Sequence, residues 1–129
     1  NRYNALTNAG GAIPQQLQGP DGALKNITSI GTGYYTGYAI TSEEKVVAWG
    51  LNNYSQLASG DTSSKQTPVY MKDKDGNIIE NVMIVAGGNS NTEIAKSNGT
   101  VWSIGYNGYG ELGDGSTTST NKLECISTQ

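Results

Sequence analysis

The chain has 129 residues and a net charge of −3, with 15% charged and 35% hydrophobic side chains, 18 glycines, one cysteine and no histidine. That balance is unlike a highly charged disordered chain, and eight dispersed Lys and Arg give no positive stripe to displace counterions from phosphates, so no nucleic-acid partner is expected. No apolar run approaches 18 residues, so no membrane insertion is expected; without histidine, Ser-His and Cys-His catalysis and imidazole metal sites are excluded.

The chain opens inside a repeated unit. Asn1, Tyr3 and Leu6 lie 51 positions before Asn52, Tyr54 and Leu57, and Pro14 lies 54 before Pro68. With no initiating Met and no signal peptide, it is expected to be a processed or excised segment. Asp21-Gly22 reads as a tight turn, matched by Asp75-Gly76. Four short extended segments follow, at 26–31, 38–41, 45–50 and 68–72. They return at 81–86, 93–96, 100–105 and 123–127.

Between the third and fourth segments lies the clearest repetition. The stretch from Trp49 and Gly50 through Asn52, Tyr54, Gln56 and Leu57 to Gly60 returns from Ile104 and Gly105 through Asn107, Tyr109, Glu111 and Leu112 to Gly115, at a constant shift of 55. A fixed period of this size marks units that cannot bury an apolar face alone and stack on copies of themselves. Abundant Gly, Asn, Ser and Thr, with no long 3.6-period stretch, make the chain all-β. Four antiparallel strands repeated radially are propeller blades. The expected organisation is the end of a preceding repeat at 1–18, a first complete blade at 19–72 and a second at 73–129. Two blades cannot close a ring, so the chain is expected to be part of a larger propeller or of an assembly.

Finer expectations follow from single segments. Val82-Met83-Ile84-Val85-Ala86 is apolar throughout, which predicts a strand covered on both faces. Val47 and Trp49 correspond to Trp102 and Ile104, large on one face, with Ala48 and Ser103 small on the other. Ser97-Asn98-Gly99-Thr100 predicts a two-residue hairpin turn with positive φ at both central residues. Its counterpart Ser42-Glu43-Glu44-Lys45 lacks that chemistry and predicts a looser or differently shaped hairpin. Cys125 matches Tyr70, which predicts a packed, inert thiol.

The pattern carried by Trp49, Gly50, Asn52, Tyr54, Gln56, Leu57, Gly60, Thr67, Pro68 and Val69, and again by Gly99 to Trp102, Gly105, Asn107, Tyr109, Gly110, Leu112, Gly113 and Gly115, resembles the repeats of the regulator of chromosome condensation family, in its bacterial type. The resemblance implies a seven-bladed propeller. Members of that family include an exchange factor for a small GTPase, a secreted inhibitor of β-lactamases and many bacterial surface proteins. Family repeats commonly carry a His where this chain has Thr36 and Asn91, so no role of that His carries over.

Other motifs have plainer readings. The Gly-rich stretch 105–115 lacks the Gly-Lys-Ser/Thr ending of a phosphate cradle. Asp73-Lys74-Asp75-Gly76-Asn77 resembles the start of a calcium loop, but Ile78 and Ile84 occupy its Gly and Glu places. Glu43, Glu44, Asp61, Glu80, Glu93, Glu111 and Asp114 read as solvated loop charges. No catalytic residue, metal or cofactor is expected. Residues present in both copies, Tyr54 and Tyr109 among them, are assigned to packing. Tyr34, Tyr35 and Tyr106 have no counterpart and are the candidate contact residues, because tyrosine on a rigid loop offers large area at low entropy cost. The expected function is a non-catalytic protein-binding scaffold, on a bacterial surface or secreted. The alternatives are a self-assembling repeat protein, closed by further blades or as a homo-oligomer, and a glycan hydrolase using two carboxylates.

Overall fold

A computed structural model describes residues 16–126; the expectations resting on Asn1, Tyr3, Leu6, Pro14 and Ser127 lie outside them. Strands β1 (Gln18–Gly19) and β2 (Gly22–Ala23) form a small hairpin. Strands β3 (Ile27–Thr32), β4 (Thr36–Thr41), β5 (Val46–Gly50) and β6 (Lys65–Tyr70) form one antiparallel meander. Strands β7 (Val82–Gly87), β8 (Asn91–Lys96), β9 (Val101–Gly105) and β10 (Thr120–Cys125) form a second. The fourth strand of each sheet starts three residues earlier than the apolar pattern predicts, at Lys65 and Thr120. Its first residues belong to the Ser/Thr-rich stretch, which masks the strand's start.

The two sheets repeat each other down to their irregularities. Thr28 and Met83 are each the extra residue of a β-bulge. Asn26 and Asn81, just before those bulges, hold φ of 58° and 62°. Their carbonyls accept from Ser42 and Ser97 at 2.8 Å. Gly50 and Gly105 hold φ of 109° and 116°. A Cβ at either would lie 2.2 or 2.5 Å from the carbonyl oxygen of Tyr35 or Ser90, so nothing larger than glycine fits at these strand ends.

The core lies between the sheets. Tyr38 and Ile40 of β4 and Val46 and Ala48 of β5, joined by Leu57 and Met71, form one buried cluster with Val82, Val85, Ile94, Ile104 and Leu123 of the second sheet. The alternate spacing within each strand puts one set of side chains on the seam face. Backbone bonds cross the same seam, from Val82 N–H to Glu44 O at 2.9 Å and from Tyr34 N–H to Gly88 O at 3.0 Å. The Tyr38 hydroxyl donates to Thr92 Oγ1, which donates onward to Gln56 O at 2.6 Å. Burial of a full aliphatic or aromatic side chain contributes roughly 1.5–3 kcal/mol, and a hydrogen bond about 1 kcal/mol net. The apolar cluster therefore dominates, and the polar links set how the sheets register.

Equivalent positions differ where one sheet is covered by its neighbour among the described residues and the other is not. Val85 is 6% exposed beneath the first sheet, whereas its counterpart Ile30 is 75% exposed. The expectation that 82–86 is covered on both faces fails: Met83 and Ile84 are 53% and 61% exposed. One side of β7 lies on the first sheet, and the bulge at Met83 turns the side chains of Met83 and Ile84 off that seam before Val85 returns to it.

The hairpin expectations also need correction. In both sheets the β4–β5 and β8–β9 turns have the same shape. Thr41 N–H bonds Lys45 O, and Glu44 N–H bonds Thr41 O, each at 2.9 Å; Lys96 N–H bonds Thr100 O at 2.9 Å, and Gly99 N–H bonds Lys96 O at 3.0 Å. Each is a three-residue loop with one left-handed position, held by Gly99 at φ 87° and by Glu44 at φ 62°. The first hairpin is not looser, because the bond from Val82 to Glu44 O pins it to the seam. A left-handed non-glycine residue carries about 1 kcal/mol of strain. Glu44→Gly should therefore raise unfolding free energy by roughly 0.5–1 kcal/mol in urea, while Gly99→Glu lowers it by a similar amount; denaturant midpoints measure both.

Candidate functional site

Each sheet carries a long loop after its third strand, and one buried asparagine organises it. Asn52 is fully buried. Its Oδ1 accepts from Leu57 N–H at 2.9 Å, and its Nδ2 lies 2.9 Å from Asp61 O and 3.0 Å from Ser63 O. The second sheet repeats this. Asn107 Oδ1 accepts from Leu112 N–H at 2.8 Å, and Nδ2 lies 3.1 Å from Ser116 O and 3.0 Å from Thr118 O. Leu57 and Leu112, five residues on, are both fully buried plugs. Gly60 and Gly115 have open space around them but φ of 92° and 83°, so their conformation demands glycine. The amides of 105–115 are spent inward on this scaffold, through Gly110, Leu112 and Gly113, which gives the glycine-rich stretch a structural account.

The loops aim tyrosines outward. Tyr34 and Tyr35 sit between β3 and β4, ring centroids 4.4 Å apart and edge to face. Tyr34 is 65% exposed although its amide is fixed to Gly88 O. Tyr106, just after β9, is half-buried. It meets Tyr54 of the first sheet at 5.1 Å and Tyr109 of its own loop at 6.2 Å. Tyr54 and Tyr109, assigned to packing, are 41% and 88% exposed, although Tyr54 keeps its edge contact with Tyr106. The reason is local. The Tyr54 amide is held by Gln56 Oε1 at 2.9 Å and the Tyr109 amide by Glu111 Oε1 at 2.6 Å, so the backbone is what the repeat needs there and the ring is free to face solvent. Among the signature residues, Asn52, Leu57, Asn107, Leu112 and the four glycines carry the scaffold. Trp49 lies over Gly37, where a Cβ would fall 2.4 Å from its ring.

Regulator of chromosome condensation (RCC1) repeat models match residues 27–56 and 43–92. The chain belongs to the regulator of chromosome condensation repeat family. It is 32% identical over 94 residues to the human E3 ubiquitin-protein ligase HERC2, covering 72% of this chain and 2% of that protein. It is 37% identical over 80 residues to the zebrafish Protein RCC2 homolog, covering 61% of this chain and 15% of that protein. The chain thus spans a small fraction of these curated relatives. The crystal structure of human WBSCR16 overlays with a TM-score of 0.66 at 16% identity, over 78% of this chain and 25% of that one. That likeness fixes the fold: the two sheets are blades of an RCC1-type β-propeller. These relatives are eukaryotic and lend the bacterial-type qualifier no support.

Within the RCC1 repeat the two long loops differ in charge. In the first, Asp61 takes hydrogen bonds from Ser59 Oγ and Ser63 N–H and an ion pair from Lys65 at 2.9 Å. The Lys65 bond, foremost, pulls its pKa down to about 2. In the second, the serine and aspartate exchange places, and Asp114 bonds Ser116 N–H and Oγ at 2.9 and 2.8 Å. Copy-to-copy alignment shows this swap only as two mismatches, Asp114 against Ser59 and Ser116 against Asp61. Asp114 has Glu124 for a partner rather than a lysine. Their mutual hydrogen bond holds Asp114 down at about 2 and pushes Glu124 above the usual range. Glu124 Oε1 is buried with no hydrogen-bond partner among the described residues, which also favours the neutral acid.

Two smaller expectations resolve here. The 73–77 stretch is a hairpin turn, with Asp73 accepting from Asp75 and Asn77 N–H at 2.9 Å each. Cys125 is exposed, not packed. It lies at the end of the outer strand β10, where Tyr70 of the first blade is long enough to reach the β1–β2 hairpin through Asp21 at 2.9 Å.

The Glu124 shift has a sign. A carboxyl whose folded pKa is raised stabilises fully below its ordinary pKa and loses that contribution as pH rises through the folded value. Asp61 runs the other way, and its contribution is lost as pH falls from 3.8 toward about 2. Urea unfolding followed upward from pH 4.5 should therefore show a fall in stability with rising pH that Glu124→Gln abolishes, since an amide does not titrate.

Proposed function

We propose that this chain is a slice of a larger RCC1-type propeller that works as a non-catalytic protein-binding platform. Its two blades supply rigidity, and its loops supply contact through Tyr34, Tyr35 and Tyr106. The observation that carries the reading is Tyr34, a large side chain left 65% exposed on a loop whose backbone is anchored to the next blade. An aromatic that meets its neighbour Tyr35 edge to face and leaves most of its ring in solvent on a rigid turn suits an interface anchor. HERC2 and the RCC2 homolog share the repeat, and their identities supply no substrate for this segment.

A second reading, further blades or self-association, is favoured by Ile30. Its counterpart Val85 is covered by the preceding sheet, so Ile30 is the place where another sheet of the same design would rest. The register of the repeat in the sequence supports a preceding repeat at 1–18 and blades at 19–72 and 73–129. A surface or secreted setting rests on composition alone and is open to cell fractionation.

Tyr34→Ala with Tyr35→Ala should cut retention of the natural partner at least tenfold, in keeping with an interface anchor of about 1.4 kcal/mol or more. The unfolding midpoint should move by less than about 2 °C. Equal loss of binding and stability would place the pair in the packing.

A further inference from the structure

The second blade departs from the first at five positions that meet at one place. Tyr106 stands where the first blade has Leu51, Gly108 where it has Asn53, and Glu111 where it has Gln56; Asn89 and Ser90 stand where it has Tyr34 and Tyr35. Together with Tyr54 and Tyr109, four of these line a groove of about 310 Å³. Gly108 makes room for it, because a Cβ there would fall 1.9 Å from the Tyr106 hydroxyl. Asn89 and Ser90, smaller than the tyrosines of the first blade, leave its rim open.

The walls are aromatic and one is acidic. Tyr106 stands at 64° to Tyr54 and 66° to Tyr109. Glu111 Oε1 is fixed by the Tyr109 amide at 2.6 Å. The fold does not need that charge, since neutral Gln56 makes the same turn bond in the first blade. Among the described residues no lysine or arginine lines the groove, and the chain is net negative. Electron-rich ring faces beside a fixed carboxylate attract an organic cation. The rings splay rather than close into a box, which suits a flat guanidinium that stacks on one ring while forking toward a carboxylate.

We propose that the groove between Tyr54, Tyr106 and Tyr109 takes an arginine side chain of the protein partner, its charge answered by Glu111. This rests on the protein-binding reading above and adds the chemistry of what is bound.

The test is NMR titration of the chain, following the tyrosine ring signals, with three capped pentapeptides: Gly-Ser-Arg-Ser-Gly, the same peptide with citrulline for arginine, and the same with trimethyl-lysine. The arginine peptide should shift the signals of Tyr54, Tyr106 and Tyr109 and bind at least fivefold tighter than either other peptide. Glu111→Gln, which keeps the turn bond, should erase the preference over citrulline. Tyr106→Leu, which copies the first blade, should weaken arginine binding at least fivefold. Equal binding of arginine and citrulline, tighter binding of trimethyl-lysine, no shift with any peptide, or an unchanged preference in Glu111→Gln would each overturn the proposal. If the natural partner is still lost in the Tyr34/Tyr35 variant while arginine and citrulline bind alike, this inference alone falls.

Discussion

A propeller blade is a four-stranded sheet with two faces to cover and only another blade to cover them with. The seam between the two sheets shows what that constraint produces. Tyr38, Ile40, Val46 and Ala48 reach across to Val82, Val85, Ile94 and Ile104, and all are buried. The same positions taken on the far faces tell the opposite story, with Ile30 open where Val85 is closed. Hydrophobic burial is non-directional, so it holds the sheets together without choosing their register. The link from Tyr38 through Thr92 to the Gln56 carbonyl chooses it, because a slip would strand buried polar groups.

That link also ties packing to the loops that carry function. Gln56 lies in the loop that Asn52 organises, so the seam holds the base of the loop while the asparagine holds its span. With the backbone secured from two sides, side chains such as Tyr54 and Tyr109 are released from structural duty. A repeat protein can then vary its contact residues without disturbing its frame. The differences between blades, at Tyr106, Gly108 and Glu111, become informative because the frame beneath them is the same.

Much of the fold was legible because the chain states it twice. The constant shift of 55 located all four strands of each blade, and the glycines at 50 and 105 proved equivalent in conformation and in what they touch. What escaped was whatever depends on neighbours or on backbone rather than side chain. Met83 and Ile84 are apolar in pattern yet exposed, since a bulge breaks the alternation. Glu44 occupies a left-handed position that no turn residue announces, in the same three-residue loop that Gly99 completes in the second sheet. Tyr54 and Tyr109 recur, and recurrence suggested packing; the repeated element is their captured amide. Glu111 was read as a solvated charge, although its contrast with Gln56 was visible in the alignment of the two copies. The serine–aspartate exchange at 59–61 and 114–116 stands in that alignment only as two mismatches, since the two loops are held by different residues.

The decisive comparison is between two positions that the repeat makes equivalent and the seam makes different. Val85→Thr and Ile30→Thr both keep a β-branched residue and both add a hydroxyl. Unfolding in urea should show a loss of about 1–3 kcal/mol for Val85→Thr, where the hydroxyl is buried without a partner, and a change within about 0.5 kcal/mol for Ile30→Thr at an exposed site. Equal losses at the two positions would contradict the account, because they would mean that the covering blade is not what distinguishes one sheet from the other.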